Sequence, residues 1–85
     1  MRPQSIRLFV KTYCDWCHEA IDWLDQNHIN FETIDVSTDA DGFKEMVALS
    51  GQSKAPVIDV DGKILADFGA AELEAWWAKN DFGSV

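Results

Sequence analysis

Cys14 and Cys17, separated by Asp15 and Trp16, are the only cysteines in the 85-residue chain. Residues three apart are neighbours on a helix, so thiols at that spacing can be oxidised to a disulfide and reduced again. The thiolate is the nucleophile in disulfide exchange, and the positive end of a helix favours its formation. The pair therefore suits redox chemistry if Cys14 stands at a helix start. Two other chemistries fit the same stretch. Cys14-Asp15-Trp16-Cys17-His18 matches the Cys-x-x-Cys-His pattern of c-type haem attachment, with His18 as one axial ligand and Met46 as the other. Both cysteines with His18 and His28 would supply four zinc ligands, although at spacings unlike those of structural zinc sites.

The elements around the cysteines favour the first chemistry. Ile6 to Val10 is a short apolar run of the kind that forms a buried strand. From Cys17 onward Ala20, Ile21, Leu24 and His28 fall on one face of a helix running from about Asp15 to Asn27. Cys14 thus lies at a strand-to-helix turn, over the unsatisfied N–H groups of the helix start. Asp15, Glu19, Asp22 and Asp25 share the opposite face and read as a solvated acidic stripe. Trp23 reads as a packing residue, whereas Trp16, between the cysteines, is expected to be exposed beside them.

Phe31 to Val36 alternates as a second strand, which makes a parallel βαβ unit with a right-handed crossover. Thr38 to Asp41 offers a capping-box start to a second helix, whose inward face is Phe43, Met46, Val47 and Ser50, and Gly51 suits its end. Gln52 to Pro56 is a loop. Val57 to Val60 and Lys63 to Leu65 then flank Asp61-Gly62, a strong signal for a two-residue hairpin. A third helix follows Phe68-Gly69, with Leu73, Trp76 and Trp77 facing the core. Residues 81–85 read as a loose tail of one small domain covering residues 1–85.

Seven Lys and Arg stand against 15 Asp and Glu, a formal charge of −8 that excludes the basic footprint of nucleic-acid binding. No apolar run approaches membrane-spanning length. Met1 to Gln4 leads into the first strand without a basic and apolar leader, so a cytoplasmic protein is expected. Two closely spaced cysteines in that compartment argue for catalysis or metal binding over a structural disulfide framework. The βαβ context and Ala55-Pro56 also have no place in a haem-attachment reading, and attachment generally needs an exported chain.

In order and spacing the chain resembles the glutaredoxins, in particular the small bacterial glutaredoxin-like proteins. Three stretches carry the resemblance, which extends from Ile6 to about Lys79: Lys11-Thr12-Tyr13-Cys14-Asp15-Trp16-Cys17, Ser50 to Ile58, and Asp61 to Phe68. It implies an α/β, thioredoxin-like fold, βαβ-α-ββ-α, with a four-stranded mixed sheet flanked by three helices. It also implies a thiol–disulfide oxidoreductase that reduces protein or glutathione mixed disulfides. Cys14 would be the nucleophile and Cys17 the resolving thiol. Ala55-Pro56 would form a cis peptide bond beside the sulfur, in contrast to a trans bond at Arg2-Pro3, and the Ala55 backbone would pair with substrate. Lys11, Tyr13, Trp16, Asp67 and Phe68 would line the glutathione and substrate groove, with no metal.

Departures from the family pattern accompany the resemblance. Asp15-Trp16 replaces the usual Pro-Tyr, and Ala66-Asp67 replaces Gly-Gly. Gly69-Ala70 follows the aromatic where an acidic residue is common. These last positions ordinarily hold the γ-glutamyl end of glutathione, which the open N–H groups of Gly69 and Ala70 could still receive. The resemblance names glutathione as reductant, with no tightly bound cofactor. The alternatives are a flavin disulfide reductase, as for hydrogen donors to ribonucleotide reductase, or an iron–sulfur cluster held between two molecules. Partners would be disulfide-containing proteins, not nucleic acid or membrane, and the protein would be a monomer.

Overall fold

The computed structural model describes residues 4–82. Its elements are β1 (Ile6–Val10), α1 (Asp15–Gln26), β2 (Glu32–Asp35), α2 (Ala40–Ser50), β3 (Val57–Val60), β4 (Lys63–Ala66) and α3 (Ala70–Lys79). The four strands form one mixed sheet in the order β2-β1-β3-β4. β1 pairs in parallel with β2 and antiparallel with β3, and β3 pairs antiparallel with β4. This is the thioredoxin-like arrangement that the resemblance implies.

The alternation of β1 divides the core. Ile6, Leu8 and Val10 point to one side, where Ile58 and Val60 join Ala20 and Leu24 of α1 and Leu73 and Trp77 of α3. Phe9 points to the other side, against Val57 and Met46 of α2. Arg7 shares that second side. Its guanidinium donates to Asp59 at 2.7 Å and to Glu45 at 2.8 Å, joining β1, β3 and α2. Asp59 is the buried carboxylate this pairing satisfies. Gly42 lets α2 start close to the sheet, because a Cβ there would lie 2.6 Å from the Ile34 Cγ2 methyl.

The hairpin forms at Asp61-Gly62, with φ of 51° and 93°, the two positive values a type I′ turn requires. The Asp61 carboxylate also accepts from the backbone N–H groups of Gln4 and Ser5, at 2.9 and 2.7 Å, and so fixes the chain entering β1.

Three local expectations need correcting. His28 does not continue the apolar face of α1; Asn27 is the C-cap and His28 is exposed with φ of 57°. Ile29 N then bonds to Leu24 O at 3.0 Å and His28 N to Asp25 O at 3.1 Å, a Schellman closure in which buried Ile29 takes the apolar place. The cap of α2 is Asp39, not Thr38: its carboxylate accepts from Gly42 N at 2.9 Å, while the Thr38 hydroxyl turns to Asp35 O.

The end of α3 is the third correction. Residues 83–85 of the expected tail lie outside the described residues, as does the bond at Arg2-Pro3, but Phe82 is only 8% exposed. Asp81 takes the left-handed conformation with φ of 53° and turns Phe82 back onto α3. The Phe82 ring sits 5.1 Å from Trp76 and 4.9 Å from Trp77, and Trp77 meets Trp23 of α1 edge-on at 5.7 Å. Such aromatic pairs add to the area they bury. Phe82→Ala should therefore destabilise the protein by about 3 kcal/mol. Urea unfolding followed by tryptophan fluorescence measures this, and a change within 0.5 kcal/mol, as expected of a surface position, would return Phe82 to the tail.

Candidate functional site

β1 is the inner strand between β2 and β3, so the turn leaving it is held from both sides. Cys14 is the N-cap of α1, with extended backbone (φ −145°, ψ 105°), and its Sγ accepts from Cys17 N at 3.2 Å. Asp15 takes the first helical position, where a carboxylate complements the helix dipole. The two cysteines are joined in a disulfide with their Cα atoms 5.2 Å apart. Their surroundings differ. Cys17 is 2% exposed and packed among core residues, whereas Cys14 is only partly buried. Tyr13, just before Cys14 in the chain, is 98% exposed and Trp16, two residues after it, 49%.

The loop before β3 is held by its neighbours. Ala55-Pro56 is cis, and Pro56 O accepts from Asp67 N at 2.9 Å, linking that loop to the end of β4. Lys11 Nζ donates to Ser53 O at 3.2 Å, so its stem spans from the β1–α1 turn to the same loop. Asp67 is exposed with φ of 56°, in the left-handed region that glycine usually takes and that aspartate tolerates. Phe68 is 1% exposed and belongs to the core, so its ring does not line a groove.

The start of α3 is not open. Gly69 N donates to Glu72 Oε1 at 2.8 Å, and Ala70 N donates to Glu19 Oε1 of α1 at 3.3 Å. Glu19 is thus no plain member of a solvated stripe, and the N–H groups expected to be free are both taken by the chain's own carboxylates. A residue spacing within α1 carries no signal for this contact, which spans 51 residues.

A second cluster was also unmarked in the sequence. Thr12 Oγ1 lies 2.6 Å from Ser37 Oγ and donates to Asp35 Oδ2 at 3.1 Å, while Ser37 donates to Asp35 Oδ1 from both its hydroxyl and, at 2.9 Å, its N–H. This ties the turn carrying Cys14 to the end of β2. The Ser37 hydroxyl first, then the Ser37 N–H, hold the Asp35 carboxyl below the usual carboxylate range, with a smaller contribution from Thr12.

The rival ligand sets do not assemble. Met46 packs on the opposite side of the sheet from the cysteines, so it cannot face a haem ligated by His18. His18 and His28 are both exposed, and among the described residues no three of His, Cys, Asp and Glu converge on a metal-sized point. Among the same residues no helix is long and apolar enough to cross a membrane.

A thioredoxin-like fold with a Cys-x-x-Cys disulfide at the end of its inner strand defines a thiol–disulfide redox protein. The glutaredoxin family model matches residues 6–65. A glutaredoxin-like 8.6 kDa protein of the rubredoxin operon of Clostridium pasteurianum, uncharacterized, is 35% identical over 69 residues, covering 81% of this chain and 92% of that protein. The chain belongs to the glutaredoxin family. Its fold is similar to that of the glutaredoxin of Archaeoglobus fulgidus (TM-score 0.72, 16% identity, 84% of this chain and 83% of that one). It is also similar to buckwheat glutaredoxin in its glutathione complex (TM-score 0.71, 22% identity, 91% of this chain and 71% of that one).

The Asp35 cluster generates a pH prediction. A carboxyl whose pKa is depressed by folding adds stability above its unfolded value, near pH 4, and that stability is lost as pH falls through the lower folded value. Ser37→Ala removes the largest cause of the shift. The variant should be less stable at pH 7 and lose less stability between about pH 5 and pH 2 than the parent. Urea midpoints across that range test it; parallel curves would show that Ser37 does not set the Asp35 titration.

Proposed function

We propose that this protein reduces disulfides in protein substrates by dithiol exchange, with Cys14 as nucleophile and Cys17 as resolving thiol. The asymmetry of the two sulfurs carries this reading: Cys14 is accessible and caps a helix, whereas Cys17 is buried behind it. In the reduced protein the Cys17 N–H and the positive end of α1 stabilise a Cys14 thiolate. That thiolate attacks one sulfur of the substrate disulfide, forming a mixed disulfide and expelling the other sulfur as a thiolate, which takes a proton. Cys17 then loses its proton and attacks Cys14 Sγ, releasing the second substrate thiol and leaving the Cys14–Cys17 disulfide. Two electrons have passed from the protein to the substrate.

Tyr13 and Trp16 suit this role as apolar contacts around the exchanging sulfurs, and the Ala55 main chain beside cis-Pro56 offers a pairing edge. Lys11 adds the cation nearest to Cys14 along the chain. Electrons return from glutathione or from a flavin disulfide reductase, with the protein acting in the cytoplasm as a monomer.

Cys14→Ser should abolish disulfide reduction, and Cys17→Ser should accumulate a mixed disulfide with substrate, visible as a mass adduct that a reductant removes. Faster alkylation of Cys17 than of Cys14 at neutral pH would reverse the assigned roles. NADPH consumption with oxidised protein, driven either by glutathione and its reductase or by a thioredoxin-reductase-type flavoenzyme, identifies the electron source.

A further inference from the structure

We infer that Glu19 is a specificity residue that closes the start of α3 to an anionic substrate group and turns the site towards neutral or cationic disulfides. The inference deepens the dithiol reading and rests on it. A helix start with free N–H groups attracts carboxylates. Here the two N–H groups that lead into α3 are already bonded, Gly69 N to Glu72 Oε1 at 2.8 Å and Ala70 N to Glu19 Oε1 at 3.3 Å. The two carboxylates converge over Gly69, where a Cβ would lie 3.1 Å from the Glu72 oxygen and 3.3 Å from the Glu19 oxygen. Like charges accept such proximity when each is compensated, and the main-chain donors supply that compensation.

The two carboxylates have different origins. Glu72 is local: it is the third residue of α3 and forms the half of a capping box that a glycine N-cap permits. Glu19 comes from α1, five positions after Cys14, which places it about 7 Å along the helix from the nucleophile. Five residues also turn the helix by about 140°, so Glu19 acts on a disulfide exchanging at Cys14 through its field and through the Ala70 donor it occupies. A carboxylated substituent meets repulsion and an occupied donor, whereas an ammonium group meets a carboxylate. Asp15 and Asp67, exposed on either side, add charge of the same sign. Lys11, its Nζ held at Ser53 O, keeps its positive charge and offsets only part of this.

The test uses reduced full-length protein and three small oxidants: oxidised glutathione, which is anionic; bis(2-hydroxyethyl) disulfide, which is neutral; and cystamine, which is dicationic. In each case the probe receives two electrons, the Cys14–Cys17 disulfide forms and two small thiols are released. Stopped-flow fluorescence gives the second-order rate constants.

The parent should react fastest with cystamine and slowest with oxidised glutathione, and added salt should narrow the difference. In Glu19→Ala the ratio of the glutathione rate to the neutral rate should rise about fivefold, the effect of one partly exposed charge pair. Glu19→Gln, which loses the charge but keeps an oxygen for Ala70 N, should rise less. An unchanged ratio in both variants overturns the inference. So does an equal fall in all three rates, which would make Glu19 a tether between α1 and α3. Failure of all three probes to oxidise the parent would instead overturn the dithiol reading, and this inference with it.

Discussion

The hydrogen bond from Cys17 N to Cys14 Sγ, at 3.2 Å, is the interaction from which the rest of the site follows. A helix must begin somewhere, and its first N–H groups need acceptors. Most helices meet that need with an oxygen from Ser, Thr, Asp or Asn; here a sulfur takes the cap. The same geometry that starts α1 therefore places an acceptor-hungry positive end against the sulfur, and sets the second cysteine one turn inside. Structure and reactivity have one cause. The inner position of β1 then matters because both neighbours, β2 and β3, hold the turn that delivers Cys14.

Legibility in the sequence followed the range of the interactions. Period-2 and period-3.6 patterns located every strand and helix to within two residues, because burial of one face is a repeated signal. The type I′ turn was equally plain, since Asp61-Gly62 meets a local conformational demand. Left-handed C-caps were not, because His28 and Asp81 stand where glycine would have advertised the chain reversal. The consequence at α3 was that Phe82, a core residue, looked like part of a tail. Capping chemistry was half visible: an N-cap was readable near residue 38, but Thr38 and Asp39 both qualify, and only the positions of Asp35 and Gly42 separate them.

The site divides in the same way. Cys14, Cys17 and the cis bond at Pro56 could be placed from spacing and resemblance. Glu19 could not, because its partner is a main-chain N–H on another helix, a group present at almost every residue and so without a signature. Asp35, Ser37 and Thr12 escaped notice for a related reason. Each is an ordinary polar residue near a strand end, and only the parallel pairing of Val10 with Asp35 brings their loops together. The polar contacts that tie down the Cys14 turn and the start of α3 are thus made by residues that periodicity does not single out.

The grip of Asp61 on Gln4 and Ser5 has a bearing on how the chain comes to be folded. β1 is made before either of the strands that must flank it, and one of those neighbours, together with the carboxylate that anchors the chain entering β1, is made more than fifty residues later. Until then β1 presents an unpaired edge with three consecutive buried-type side chains, Leu8, Phe9 and Val10. A βαβ half alone cannot cover it, so order in the turn that carries Cys14 is expected late, when the hairpin docks. A nascent chain stalled before that hairpin would carry both cysteines but no built site to restrain their reactivity.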